Sequence, residues 1–364
     1  MDDAISLGVG EPDFVTPWHI RDAGVYSLEK GFTKYTSNAG MLSLRRAVAG
    51  YMERRFSLGY DPESEIILTV GGSEAIDLAL RVLLDEGDEV IIPTPSFVCY
   101  EPLTRVAGGV PVIVETKEEN EFRLTPEELT AALTPRTKVL VLPYPCNPTG
   151  GIMRREDLEA LEVILRGRNI AIISDEIYSE LTYGEKHVSP ANIPGLFDRT
   201  IVINGFSKTY AMTGWRLGYA CGPAPVMKQM LKLHQFAIMC APTTAQYAAI
   251  EALTNGDADV IRMRDDYDRR RRLLLQGVRD VGLECFEPRG AFYMFPCIKS
   301  TGLTSDEFCE RFLMEEKVAV ISGSAFGEAG EGFVRMCYAA STENLMEALQ
   351  RLGRFLDKLK KDGT

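Results

Sequence analysis

Four short stretches set small or polar residues directly after runs of branched apolar ones, and each offers its own chemistry. Lys208 closes Ile203-Asn204-Gly205-Phe206-Ser207-Lys208, and Arg216 follows eight residues on. An amine desolvated among small and aromatic residues, with a cation close by, loses its proton more easily and becomes nucleophilic. Arg216 could be that cation, and its planar fork also suits a phosphate. Taken alone, Lys208 reads as an ordinary solvated surface lysine. Asp175 ends the apolar run 170–174. A carboxylate there is costly unless it is paired, whether by a protonated ligand nitrogen, a helix terminus or an arginine. Asn147 stands between Pro145 and Pro148, which fix an extended turn and aim its amide. By turn chemistry alone that segment is structural. Gly71-Gly72-Ser73-Glu74 forms a glycine turn whose free N–H groups would favour a phosphate, or an ordinary strand-to-helix turn.

All four follow a candidate strand, which is where open α/β sheets bind ligands. The strand candidates are 65–70, 89–92, 110–114, 138–142, 170–174, 200–203 and 217–221. They are short, rich in Ile and Val and almost uninterrupted, as strands buried on both faces are. Between them lie helix signals. One helix starts at Thr125-Pro126-Glu127-Glu128 with a capping pattern, and another runs from Ser73 to about Glu86. The expected fold is α/β, with a mixed, mostly parallel sheet. The tail differs: a long polar helix over 257–281, strands at 291–296, 318–321 and 333–338, and a closing helix from Thr342. With the first residues, among them the run 5–9, it reads as a smaller α+β domain. The expected division is a large domain over 25–255 and a small one built from 1–24 and 256–364.

Composition narrows the function. At 364 residues the chain is too long for one small core, and its net charge of -12 repels nucleic acid and anionic lipid. The basic run Arg269–Arg272 lies among Asp265, Asp266 and Asp268 and reads as a charged, solvated helix face. No apolar run is long enough to cross a bilayer, and Met1-Asp2-Asp3 is not the start of a signal peptide. Eight cysteines without a CxxC pair fit a reduced, cytoplasmic protein, and three dispersed histidines argue against a metal site or a Ser-His-Asp hydrolase.

Taken together, the segments carry more. GEPDF (10–14), KYTSNAG (34–40), GGSEA (71–75), NPTG (147–150), SDEIY (174–178), SK with MTGWRLGY (207–219) and FVRMCYA (333–339) occur in order along the whole chain. This set resembles the class I/II aminotransferases, fold-type I enzymes that use pyridoxal 5'-phosphate. The resemblance implies that Lys208 holds the cofactor aldehyde and then moves a proton, and that Asp175 pairs with the pyridine nitrogen. It implies that Asn147 and Tyr178 hydrogen-bond the ring hydroxyl oxygen, and that Phe97 stacks on the ring. Gly72, Ser73 and the helix start at Glu74, with Ser207 and Arg216, match the phosphate cup. Tyr35 matches a tyrosine that crosses a homodimer interface to the partner's cofactor phosphate. Arg335 matches the clamp on the substrate α-carboxylate, with Gly10 lending an N–H and Asn147 lying alongside.

The expected reaction is ping-pong transfer of an amino group from an L-amino acid to a 2-oxo acid. Where some aspartate-selective relatives carry a lysine, this chain has Ser73 followed by Glu74, and the segment 236–242 is apolar. Both features favour neutral or aromatic substrates over dicarboxylates. A C–S β-lyase with the same cofactor is the main alternative, aspartate specificity a more distant one, and a non-catalytic sensor module the most distant. Buried Cys146 reads either as a packing residue or as a substrate contact. GEPDF begins at residue 10, so a chain lacking the longer arm usual in relatives would be expected to grip its partner less firmly.

Overall fold

The computed structural model describes residues 4–362. Strand β1 (Ile5–Ser6) opens the described chain, and seven strands then form one sheet. These are β2 (Ile66–Thr69), β3 (Glu89–Thr94), β4 (Val110–Glu115), β5 (Thr137–Leu142), β6 (Ala171–Asp175), β7 (Thr200–Gly205) and β8 (Gly218–Cys221). Their spatial order is β2-β8-β7-β6-β5-β3-β4, and β8 runs opposite to the other six. The sheet is therefore mixed and mostly parallel, as its apolar runs imply.

The period of two along each strand feeds two apolar layers. Ile67, Val90, Ile92, Val139, Val141, Ile173, Ile201 and Ile203 pack on one face with Ala75, Ile76 and Ala79 of the helix Gly72–Leu83. Ile66, Leu68, Val202 and Tyr219 serve one cluster on the other face, and Ile91, Leu140, Leu142 and Ile172 a second. Each such side chain contributes about 1.5–3 kcal/mol by leaving water. That is why the strands lack the polar alternation of a half-exposed sheet. The helix Pro126–Ala132 carries the capping box read from its sequence, Thr125 bonding to Glu128 N and Glu128 to Thr125 N.

The tail folds into β9 (Tyr293–Met294), β10 (Val318–Ala319), β11 (Ile321–Ser322) and β12 (Val334–Cys337), with helices Asp257–Asp280, Ser305–Glu316 and Thr342–Asp362. The strand expected over 318–321 divides. β10 pairs in parallel with β1, and β11 turns away to pair antiparallel with β12, which also pairs with β9. The basic run also differs from expectation. Arg270 pairs with Asp13 at 2.7 Å, and Arg271 is buried against Asp268 and Glu287. Half of this face is thus a set of ion pairs fastening the N-terminal segment and the 287–288 turn to the long helix. No helix among the described residues is long and apolar enough to cross a membrane.

Candidate active site

Where β2, β3, β5, β6 and β7 end, β8 begins, because it runs the other way. Its reversal brings Arg216 to the same edge as Gly72, Phe97, Asn147, Asp175 and Lys208. A cavity of about 760 Å³ opens there, closed on its far side by Tyr293 of β9, Arg335 of β12 and the N-terminal residues Gly10 and Glu11. Of the residues singled out from sequence, Gly10, Gly72, Ser73, Phe97, Asn147, Asp175, Tyr178, Ser207, Lys208, Arg216 and Arg335 line this cavity. Tyr35 does not; it is 80% exposed, on the loop before the helix Leu42–Phe56. Glu74 is absent from the lining too, its carboxylate turned back to Val70 N and to Nδ1 of His234. Cys146 is buried with its thiol toward the Pro95 carbonyl at 3.5 Å, outside the lining.

The amine and the carboxylate are both held in uncomfortable states. Lys208 Nζ donates to the Gly10 carbonyl at 2.7 Å. Burial lowers its pKa to about 8; Glu11 opposes the shift, and Arg216 and Arg335 add to it. Asp175 is buried at the end of β6, where Tyr100 Oη donates to Oδ2 at 2.7 Å and Ile177 N to Oδ1 at 3.2 Å. Those bonds favour the carboxylate, yet burial dominates and raises its pKa. Neither lysine nor arginine pairs with Asp175 among the described residues. A buried acid with two donors and no cation is a site for a cation to come.

Gly72, Ser73 and Arg216 make another part of the lining. Gly71, at φ +81°, turns β2 into the helix Gly72–Leu83, whose first turn has no side-chain cap. A Cβ on Gly71 would stand 2.6 Å from Arg216 Nη2, so only glycine lets the guanidinium close on the turn. Arg216 is anchored through Nη1 to the Thr213 carbonyl at 3.1 Å. Across the cavity, Arg335 donates to Asn147 Oδ1 at 2.8 Å and to the Gly8 carbonyl at 2.6 Å. It lies between the rings of Tyr293 and Phe326, 4.5 and 4.9 Å from their centroids, and its buried Nε has no partner among the described residues.

Two lining tyrosines escaped the sequence reading. Tyr100 opens the short helix Tyr100–Val106, three residues after Phe97, and nearness in sequence to Phe97 was the available signal. Tyr293, whose hydroxyl meets that of Tyr178 at 2.8 Å, gave none, since an aromatic residue in an apolar strand reads as core.

The sequence pattern of aminotransferases of class I and II matches residues 2–352. This chain belongs to that family. As an aminotransferase it is 47% identical to an aspartate aminotransferase of Pyrococcus abyssi, over 99% of this chain and 93% of the relative. It is 45% identical to the aromatic-amino-acid aminotransferase 2 of Thermococcus litoralis, over 98% and 92%. A solved aromatic aminotransferase of Pyrococcus horikoshii superposes with a TM-score of 0.97 at 45% identity, covering 99% of this chain and 97% of that one. The fold of the aminotransferase is thus that of fold-type I enzymes.

Proposed function

We propose that this aminotransferase holds pyridoxal 5'-phosphate in the cavity and moves amino groups between neutral or aromatic L-amino acids and 2-oxo acids by a ping-pong mechanism. The observation that carries the reading is Asp175, a buried acid without a cation, in one cavity with the desolvated amine of Lys208 and the Gly71–Arg216 cradle. A protonated ring nitrogen, an aldehyde and a phosphate on one small molecule answer these three features together. When bound, the cofactor supplies an electron sink for the bonds at the substrate Cα.

The chain's own residues do the rest. Asp175 would keep the ring nitrogen protonated, and by pairing with it would offset the burial that raises the carboxylate's pKa. Gly72, Ser73, Ser207 and Arg216 bind the phosphate, and Phe97 covers the ring. Asn147 and Tyr178 orient the ring oxygen, and Asn147 also aims Arg335. Arg335 and the Gly10 N–H grip the substrate carboxylate. Lys208 holds the cofactor and then, as a free amine, carries the proton to and from Cα.

The preference for uncharged side chains rests on charge. The basic residues lining the cavity are Lys208, Arg216 and Arg335, each already engaged in this scheme, and Ser73 is neutral. Among the described residues, no spare cation lines the cavity to meet a second carboxylate. A second reading, aspartate as donor, is favoured by the aspartate aminotransferase of Pyrococcus abyssi among the relatives.

Homodimerisation is part of the proposal. Tyr35 and Phe236 are 80% and 85% exposed, and Trp18, Tyr26 and Leu28 add apolar area that a second copy would cover. The free thiols fit a reducing cytoplasm. The proposed domains are 25–255 and 1–24 with 256–364, although residue 25 falls inside the helix Trp18–Glu29, which packs on Thr243–Asn255.

Arg335→Ala is the direct check on the substrate assignment. It is expected to raise KM for amino acid and 2-oxo acid alike, about 30-fold or more, while the bound cofactor keeps its absorbance. Unchanged KM values in steady-state assays would remove Arg335 from the substrate site.

A further inference from the structure

Glu74 and His234 form a pair that the scheme above does not use. A glutamate at the third position of a helix ordinarily returns to the N-cap N–H. Here it reaches one residue farther, to Val70 N, and leaves the N-cap Gly71 without a side-chain cap. The other carboxylate oxygen takes Nδ1 of His234 at 2.6 Å. His234 belongs to the helix Ala224–Ala237 and is fully buried, with no partner at Nε2 among the described residues. A buried ring nitrogen left unsatisfied is costly, so packing alone would favour an apolar residue. Met227 and Met230 fill the same helix face in that way.

We propose that His234 is a positioning residue for the phosphate-binding turn. Its Nδ1–H holds Glu74, and Glu74 fastens the backbone at Val70, so the N–H groups of Gly72 and Ser73 stand open toward the anion. The same bond draws a carboxylate away from a site meant for a phosphate. Gln235, next in the helix, accepts from Asn38 Nδ2 at 3.0 Å, in the loop that carries Tyr35. One helix end thereby steadies the turn of its own cavity and the loop offered to a second copy. The inference rests on the reading of the 71–73 turn as a phosphate cradle.

The test titrates the full chain, freed of cofactor, with pyridoxal 5'-phosphate and separately with pyridoxal, following ligand absorbance. His234→Met removes the donor while filling the space, and His234→Asn keeps a donor at the Nδ1 position. The methionine variant is expected to bind the phosphate ester about 10–100-fold more weakly. Its affinity for pyridoxal should stay within about threefold, and the asparagine variant should stay within about threefold for both ligands. Equal losses for the two ligands, or no loss, would overturn the proposal. Far-UV circular dichroism checks folding, with His234→Leu as the second apolar variant. Failure of both to fold would assign His234 to the core and also overturn it. A wild-type chain that binds pyridoxal as tightly as its phosphate ester would sink the reading of the cradle itself.

Discussion

Replacing Lys208 by alanine is expected to lower kcat by about 10⁴-fold or more, the upper end of what acid–base catalysis contributes, because one amine both holds the cofactor and moves the proton. The chain should still fold, since the amine's hydrogen bond is a single one, to the Gly10 carbonyl. The pH dependence of cofactor capture separates this lysine from an ordinary one. Capture needs the neutral amine, and burial brings its pKa from 10.5 down to about 8. The capture rate of the wild-type chain should therefore climb as pH rises toward 8 and level off above it. An unshifted lysine would keep climbing past 10. The sign for stability follows from the same shift. Between about 8 and 10.5 the unfolded chain binds the proton that the folded chain has lost, so stability rises with pH across that window. Rapid-mixing absorbance across a pH series measures the capture rate. Wild-type turnover by Lys208→Ala would end the account.

Asp175→Asn is the second large effect. It keeps the shape, its one amide oxygen accepting from Ile177 N while Nδ2 donates to the Tyr100 hydroxyl oxygen, yet it removes the charge. A neutral amide no longer holds the ring nitrogen protonated, so kcat is expected to fall by about 10²–10³-fold, the scale of a preorganised electrostatic contact. Cofactor binding should weaken as well, by equilibrium dialysis. Because the substitution removes a buried charge, thermal stability of the cofactor-free chain should not fall. A variant with normal kcat would show that Asp175 is a structural acid.

The sequence made part of the site legible because Asp175 and Arg335 put charge in apolar runs, whereas Lys208 stood out only together with the motifs around it. All three line the cavity. Tyr100 and Tyr293 line it equally but sit among apolar neighbours, where an aromatic ring is unremarkable. The direction of β8 was not legible either, since Gly218–Cys221 reads the same whichever way it runs. Pairing decides it, and pairing is non-local. The orientation of Glu74 depends on His234, 160 residues away in sequence, and local helix chemistry would have sent the carboxylate to the N-cap. In the run 269–272, Arg271 is buried because Asp268 and Glu287 meet it, a coincidence of the tertiary fold.

The most direct test of the central claim is a half-reaction. Purified protein loaded with pyridoxal 5'-phosphate is mixed with one L-amino acid and no 2-oxo acid, while absorbance and released oxo acid are followed. The account predicts conversion to the pyridoxamine form, with about one oxo acid released per site, faster for phenylalanine or leucine than for aspartate. Conversion by aspartate alone would leave transamination standing and overturn the argument about uncharged side chains. No conversion by any amino acid, or pyruvate and ammonia from cystathionine with the absorbance unchanged, would contradict the central claim.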